Sequence, residues 1–232
     1  MFYRIFASAL VAGVLAGLFV SVLQQFTTVP IIVQAESYES APAAGDSHAH
    51  GPGEEEAHDH GGGWAPADGG ERIFYTALSS VLIAAGWGLL LVALIALSGR
   101  RIDGKTGVLW GAAGFVATAL APGAGLPPEL PGTMAAEVTA RQVWWVATLV
   151  ATGAALWLLV LARATIWKGA GVLLLIVPHA VGAPQPDHFG GAVPPELAAH
   201  FVATSLAVSA AFWVLLGWLA GAMWDKLEPS GD

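Results

Sequence analysis

Six long apolar runs, separated by short polar segments, dominate the pattern of hydrophobic and polar positions along the chain. The runs lack Asp, Glu, Lys and Arg, and a backbone in lipid must satisfy its hydrogen bonds internally, which favours a helix for each run. The third and fifth runs fall below the about 17 to 25 residues of a usual span. The runs are Ile5 to Val29, Ile73 to Leu97, Thr106 to Ala121, Val143 to Leu161, Gly169 to Ala183 and Phe201 to Met223.

The composition supports the same class of protein. The 232 residues are 56% hydrophobic and 11% charged, whereas a soluble domain carries about 25% charged residues. We therefore predict an all-α integral membrane protein with six transmembrane helices, or five if the fifth segment is re-entrant. Its predicted parts are a first transmembrane helix (1–33), a disordered outer loop rich in histidine and acid (34–72) and a membrane domain (73–232).

The basic residues predict the orientation, because lysine and arginine are retained on the cytoplasmic side. With both termini in the cytoplasm, the outer loops contain only two of the nine basic residues, Arg72 and Arg141. The same loops then hold or adjoin all seven histidines and most of the carboxylates. The predicted cytoplasmic residues are Arg4, Arg100, Arg101, Lys105, Arg163, Lys168 and Lys226.

The first run also has features of a signal peptide, since Val33 to Ala35 resembles a small-residue cleavage site. Its apolar core is too long for a typical signal sequence, so we expect an uncleaved span. Ala9, Gly13 and Gly17 lie four residues apart, where another helix can approach closely. Similar small-residue spacings occur at Gly107 with Gly111 and Gly217 with Gly221.

The segment GRRIDGKT, Gly99 to Thr106, matches the phosphate-loop pattern letter for letter. In a nucleotide site, however, a strand leads into that loop. Here a predicted transmembrane helix precedes it, so we interpret the segment as a cytoplasmic turn and expect no nucleotide.

The first outer loop contains DSHAHGPGEEEAHDHGGG, from Asp46 to Gly63. Glycine, proline and charge predict disorder there. Imidazole and carboxylate together suit Co²⁺, Ni²⁺, Zn²⁺ or Cu²⁺. We interpret the loop as a metal collector, the alternative being a solvated acidic linker with incidental histidines. The candidate ligands are His48, His50, His58 and His60.

Further ionisable residues lie near the fifth and sixth runs. His179 follows Pro178 inside an apolar run, and an ionisable group at membrane depth faces a cavity or a partner by default. Proline-interrupted spans are where transporters tend to place their sites, although a histidine at the headgroup level is the alternative. The candidate metal ligands here are His179, His188 and His200, and the candidate ion path adds Glu129, Asp187 and Glu196.

A short motif occurs twice, as LPPEL at Leu126 to Leu130 and VPPEL at Val193 to Leu197. Residues 106–161 and 169–223 therefore form a candidate parallel repeat, in which Glu129 and Glu196 correspond. Proline followed by glutamate is also simply a good helix start. The spacing of Glu137 and Arg141 predicts an ordinary pair on one helix.

Several of these segments together resemble the CbtA-type predicted cobalt transporter subunit family. They are MFYRIFASALVAGVLAG at the start, the histidine-rich loop, GLPPELPG from Gly125 to Gly132 and PHAVGAPQP from Pro178 to Pro186. The resemblance covers essentially the whole chain and implies a bacterial inner-membrane protein of about five spans, linked to cobalamin metabolism. It also implies Co²⁺ ahead of Ni²⁺, and a small single-span partner, CbtB, with its own histidine motif.

We therefore expect a subunit of a divalent transition-metal transporter, for cobalt uptake, with no prosthetic group. The alternative is an accessory protein that delivers cobalt, nickel or zinc to a separate permease. The net charge of −8 argues against a nucleic-acid partner. An intramembrane hydrolase would need an H-E-x-x-H motif or a nucleophile group, which the sequence lacks, so we expect no enzymatic activity.

Overall fold

The computed structural model describes residues 2–39, 66–67 and 69–227, which contain helices and no strand. This confirms the all-α class. A π-helical turn, Val116–Leu120, separates α4 from α5. The α-helices are α1 (Phe2–Phe26), α2 (Thr28–Glu39), α3 (Gly70–Ser98), α4 (Gly104–Phe115), α5 (Ala121–Gly123), α6 (Val138–Leu161), α7 (Thr165–Val181) and α8 (Pro195–Lys226).

Within the described residues, five helical segments are long and apolar enough to cross a membrane: α1, α3, the continuous segment Gly104–Gly123, α6 and α8. The sixth, α7, has 17 residues and is about 25 Å long, whereas a hydrocarbon core is about 30 Å thick. The short length predicted for the fifth run is therefore confirmed, while the helical segment of the third run extends two residues beyond the predicted run at each end, to Gly104–Gly123.

Contacts at the two ends of the bundle define the path of the chain. At one end, named here the basic end, Arg4 Nε donates to the carbonyl of Trp224 at 2.8 Å and Arg100 Nη2 to that of Val160 at 3.3 Å. At the other end, named the acidic end, Thr133 forms an isolated antiparallel bridge with Gly191. Helix α7 runs from the basic end to the acidic end. A re-entrant segment would return to the end where it began, and α7 does not.

The helices α1, α3, α4 and α8 form the tighter part of the bundle, and glycine allows their close approach. A Cβ placed on Gly13 would lie 2.5 Å from Cα of Ala85, and one on Gly17 would lie 2.6 Å from Cα of Val81. The packing interpretation of this small-residue spacing is confirmed. Packing of this kind associates helices in lipid, where hydrophobic transfer contributes little.

The two other glycine pairs face each other where α4 crosses α8. A Cβ on Gly107 would lie 2.3 Å from the carbonyl oxygen of Gly217, and one on Gly221 would lie 2.9 Å from Cα of Gly107. Gly111 likewise lies against the backbone of Trp213. The prediction that both glycine spacings mark helix contacts is therefore confirmed.

The first outer loop is shorter than the predicted 34–72. Helix α2 continues to Glu39, and α3 already begins at Gly70. Ile31 and Ala35 are buried on α2, in a cluster at the acidic end. This cluster provides the tertiary contacts that the local composition of residues 34–39 does not reveal. Its other buried members are Leu130, Val193 and Phe201.

The segment Gly99 to Thr106 forms a turn between two helices. Gly99 closes α3 in the left-handed conformation, with φ 62°. The side chain of Asp103 accepts a hydrogen bond from the Thr106 backbone, and the Thr106 hydroxyl interacts with the Asp103 backbone N–H, which forms a capping box for α4. The backbone and side-chain hydrogen bonds from Thr106 hold the pKa of Asp103 below its usual value.

Candidate functional site

The four loop histidines, His48, His50, His58 and His60, lie outside the described residues. What the structure does describe is the pair of helices from which their loop extends. Arg72 Nη2 on α3 lies 2.6 Å from Glu36 Oε1 on α2. This ion pair joins the two stems of the loop at the acidic end.

His179 lies in the last turn of α7, and its side chain is exposed. The rings of His179 and Trp144 meet edge to face, with centroids 6.0 Å apart. The indole Nε1–H of Trp144 donates to the carbonyl of the buried Pro178 at 3.2 Å. Trp144 therefore fixes the end of α7 that lies at the acidic end of the bundle and the position of His179 on it.

The other predicted site residues of this region, Asp187, His188, Glu196 and His200, are all exposed at the acidic end. Glu196 and His200 both lie within α8, one turn apart. In the described part of the chain, no three His, Asp or Glu side chains come together in an arrangement that could hold a metal ion. The predicted path residues share one end of the bundle without forming a single cluster.

Glu129 forms an ion pair with Arg141. Its Oε2 atom lies 2.5 Å from Arg141 Nη2, and both side chains are less than a third exposed. The predicted pairing of Arg141 with Glu137 is wrong, because Glu137 is the N-cap of α6 and accepts hydrogen bonds from the backbone of Thr139 and Ala140. The hydrogen bond from the Thr139 N–H has the largest effect in lowering the pKa of the Glu137 carboxyl, and the hydrogen bond from the Ala140 N–H has the next largest.

The two copies of the PPEL motif adopt different conformations but meet in space. The second copy starts α8, with Pro195 as its first residue, whereas the first copy is an irregular segment that precedes α6 by several residues. Leu130 from the first copy and Val193 from the second are buried in the same cluster, and Leu197 packs against it. The helix-start explanation therefore applies to the second copy alone.

Beside the Glu129–Arg141 pair, a cavity of about 780 Å³ lies between the π-helical turn, α6 and α8. Its walls include apolar residues such as Leu126, Val146 and Leu206, and its polar lining consists of oxygen- and nitrogen-bearing side chains. None of the histidines in the described part of the chain lines it. The polar lining residues are Thr118, Glu129, Arg141, Gln142, Ser205 and Ser209.

The π-helical turn shapes one wall of this cavity. The N–H of Ala121 bonds the carbonyl of Val116, five residues earlier, so the helix is wider than an α-helix here. Pro122 follows directly and has no N–H to offer the preceding turn. Such turns inside α-helices occur frequently at functional sites.

Buried hydroxyl groups were missed by the sequence reasoning, which considered only ionisable residues. Within the described residues, the hydroxyl oxygens of Ser205 on α8 and of Thr148 and Thr152 on α6 are inaccessible to solvent and have no hydrogen-bond partner. Thr118 differs, because its hydroxyl donates to the carbonyl of Gly114 at 2.8 Å. Serine and threonine residues inside the apolar runs were the sequence signal from which these buried hydroxyl groups could have been predicted.

These features define a multi-pass helical membrane protein: its apolar helices are long enough to span a membrane, small residues pair where the helices cross, and a partly polar cavity lies between them. The sequence profile of the family described as "Probable cobalt transporter subunit (CbtA)" matches residues 2–225. The chain belongs to this family, which is a class of transporter subunit and not of enzyme. No curated protein and no solved structure matches the chain significantly.

Proposed function

We propose that this protein is the membrane subunit of a Co²⁺ uptake system in the bacterial inner membrane, linked to cobalamin synthesis. The observation that carries the proposal is the membership of nearly the whole chain in a family of probable cobalt transporter subunits. The separation of charge along the bundle supports it. In the described part of the chain, the histidines and most of the carboxylates lie at one end, and the other end carries most of the lysine and arginine.

The proposed orientation places the basic end, and therefore both termini, in the cytoplasm. Lysine and arginine are retained on that side. The contact of Arg4 with Trp224 brings the two terminal segments together, and that of Arg100 with Val160 brings the α3–α4 turn to the end of α6, so the contacts involve all four proposed cytoplasmic segments. The histidine-rich loop then faces the extracytoplasmic space, where it can meet incoming cations.

In the proposed mechanism, the loop histidines capture Co²⁺ and transfer it to the acidic end of the membrane domain. His188, Asp187, Glu196 and His200 are exposed there and form the proposed route toward His179 and Glu129. An inside-negative potential of 100 mV favours entry of a doubly charged ion by about 4 to 5 kcal/mol. Protons compete with metal for imidazole, so capture should weaken below about pH 6.

Cobalt flux into vesicles that contain the purified protein, alone or with a small single-span CbtB-type subunit, tests this function. Flux that requires an inside-negative potential is the expected result. His179→Ala should stop transport, whereas alanine at His48, His50, His58 and His60 should raise the concentration needed for half-maximal flux. Absence of flux with and without the partner would refute the proposal.

The alternative function is a metal-binding accessory protein that passes cobalt, nickel or zinc to a separate permease. The loop supports this alternative, because its four histidines could bind metal without any membrane path. The two functions predict opposite rankings of the variants. An accessory protein should lose its effect when the loop histidines are replaced and should tolerate His179→Ala.

We also infer that α4 with α6 and α7 with α8 descend from a parallel repeat covering residues 106–161 and 169–223. In this repeat, α4 corresponds to α7 and α6 corresponds to α8. The contact between α4 and α8 therefore corresponds to the contact between α7 and α6, and both contacts are extensive. Each has glycine at its crossing: Gly111 lies against α8, and Gly171 lies against the carbonyl of Ala155 on α6. An alignment of many family members that shows matched positions in the two units would test the repeat.

A further inference from the structure

The cavity between α6 and α8 extends from the acidic end toward the middle of the bundle. Glu129 and Arg141 lie near the acidic end, whereas Ser209 lies about 21 Å along α8 from its first residue, by the helical rise. Helices α6 and α8 make almost no direct contact with each other in the described chain. The space between them therefore connects a charged entrance with a hydroxyl-lined interior.

The size of the cavity allows a cation to enter with its water. Six water molecules occupy about 180 Å³ at the volume they have in the liquid, and the cavity measures about 780 Å³. Its lining provides the Glu129 carboxylate, the Gln142 amide and the side chains of Thr118 and Ser209. Ser205 also lines the cavity, but its hydroxyl oxygen is shielded from solvent and has no hydrogen-bond partner among the described residues.

We propose that this cavity is a binding site for a hydrated divalent cation, in which the guanidinium of Arg141 is a tethered competitor of the ion. Arg141 pairs with Glu129 in the structure. An arriving dication displaces Arg141 from the carboxylate, and Arg141 pairs again with Glu129 when the ion leaves. The inference deepens the proposed transport function and rests on it for its physiological role, although cation binding itself does not require transport.

The ligand chemistry has a consequence for selectivity. Carboxylate, amide carbonyl and water suit Mg²⁺ and Mn²⁺ as well as Co²⁺, whereas imidazole favours Co²⁺, Ni²⁺ and Zn²⁺. Of the three histidines that the structure describes, His179, His188 and His200, none lines the cavity. The intramembrane site should therefore accept Mn²⁺ and Mg²⁺, and discrimination for cobalt should take place earlier, at the histidines of the outer end.

Fluorine NMR of the full-length protein labelled with 5-fluorotryptophan provides a local test, because Trp145 lines the cavity. Trp145→Phe assigns its resonance among those of the ten tryptophans. Mn²⁺ is the probe, since it is paramagnetic and broadens nearby resonances. We expect selective broadening of the Trp145 resonance and its reversal by excess Mg²⁺.

The variants separate the roles of the two charged residues. Glu129→Gln should abolish the broadening, and Arg141→Gln should produce it at a Mn²⁺ concentration lower by about tenfold or more, because a like charge near the ion is removed. Glu137→Gln is the matched control: it makes the same change four residues from Arg141, on a carboxylate that does not line the cavity. If Glu129→Gln does not fold, Glu129→Asp keeps the charge and should keep a weakened response.

Broadening that survives in Glu129→Gln would place the metal elsewhere and overturn the site. An unchanged Mn²⁺ requirement in Arg141→Gln would overturn the role of the tethered competitor. A Trp145 resonance that responds to lipid headgroups and not to Mn²⁺ would identify a lipid-binding groove instead. Absence of cobalt flux together with intact broadening would refute the proposed transport function and leave the cation site standing. Cobalt flux that persists in Glu129→Gln would refute the passage of the ion through this cavity and leave the transport function standing.

Discussion

Arg4 and Trp224 hold the first and last helices together at the basic end of the bundle. Arg4 donates two hydrogen bonds from its guanidinium, at 2.8 and 2.5 Å, to the backbone carbonyl of Trp224. The same guanidinium lies 3.9 Å from the centroid of the Trp224 ring. The carbonyl belongs to the last turn of α8, where cations are favoured by the helix dipole.

Replacement of Arg4 should therefore lower the stability of the whole bundle. We expect Arg4→Ala to reduce the free energy of unfolding by about 2 to 3 kcal/mol, from charged hydrogen bonds and the cation–π contact. Arg4→Lys should lose less, because it keeps the charge but not the planar fork. Thermal unfolding in detergent, followed by tryptophan fluorescence, measures the effect. Arg163→Ala, at an exposed basic residue, is the control and should melt like the unmodified protein.

The crossing of α4 and α8 should not tolerate a side chain at Gly111. A Cβ there would lie 2.1 Å from the carbonyl oxygen of Trp213, and backbone must move to avoid it. We expect Gly111→Ala to destabilise by about 1 to 3 kcal/mol, the usual cost of overpacking. Gly153→Ala is the matched control, because a Cβ at Gly153 on α6 would meet nothing within 4 Å. A Gly111→Ala variant that melts no lower than Gly153→Ala would show that the helices do not cross here.

The N-cap of α6 should make stability depend on pH in the acid range. Backbone N–H groups lower the pKa of Glu137 in the folded protein below its usual value of 4.5. A lowered folded pKa means that the stabilisation is fully present above the unfolded pKa and is lost as pH falls through the folded one. The difference in melting temperature between the protein and Glu137→Ala should thus be constant near neutrality and shrink below about pH 4.5. Glu137→Gln keeps an acceptor without titrating, so its melting difference from Glu137→Ala should not show this change.

The absence of cysteine from the chain allows a direct test of orientation. Single cysteines at Met134 and Phe189 mark the acidic end, and single cysteines at Arg101 and Arg163 mark the basic end; all four positions are exposed. In intact cells, a membrane-impermeant maleimide should label the first pair and leave the second unlabelled until the membrane is opened. Labelling of Arg101→Cys and Arg163→Cys alone would reverse the proposed orientation.

The hydrophobic pattern was sufficient to predict the helices of the membrane domain. The apolar run from Gly169 to Ala183 corresponds closely to α7, and the glycine spacings identified real helix crossings. This works because lipid excludes polar side chains and unsatisfied backbone along the whole span. Small residues are equally informative, since close helix approach needs them.

Features that depend on distant residues were not predictable. Helix α2 contains Gln34, Glu36 and Ser37 and is secured by the burial of Ile31 and Ala35 against Leu130, Val193 and Phe201, which lie far away in the sequence. The spacing of Arg141 and Glu137 satisfies the local pairing rule, but Arg141 pairs instead with Glu129, a carboxylate in a loop. The π-helical turn that forms one wall of the cavity had Pro122 as a local sign. For α2 and for Arg141, the deciding partner lies outside the local sequence.

The capping box of Asp103 and Thr106 has a practical meaning for genome annotation. An eight-letter signature associated with ATPases here forms the start of an apolar helix. The threonine hydroxyl that would bind a magnesium ion in those enzymes instead donates a hydrogen bond to the side chain of Asp103, three residues earlier. A pattern search that ignores what precedes the signature would assign this chain a phosphate-binding loop at the place where the structure describes a helix cap.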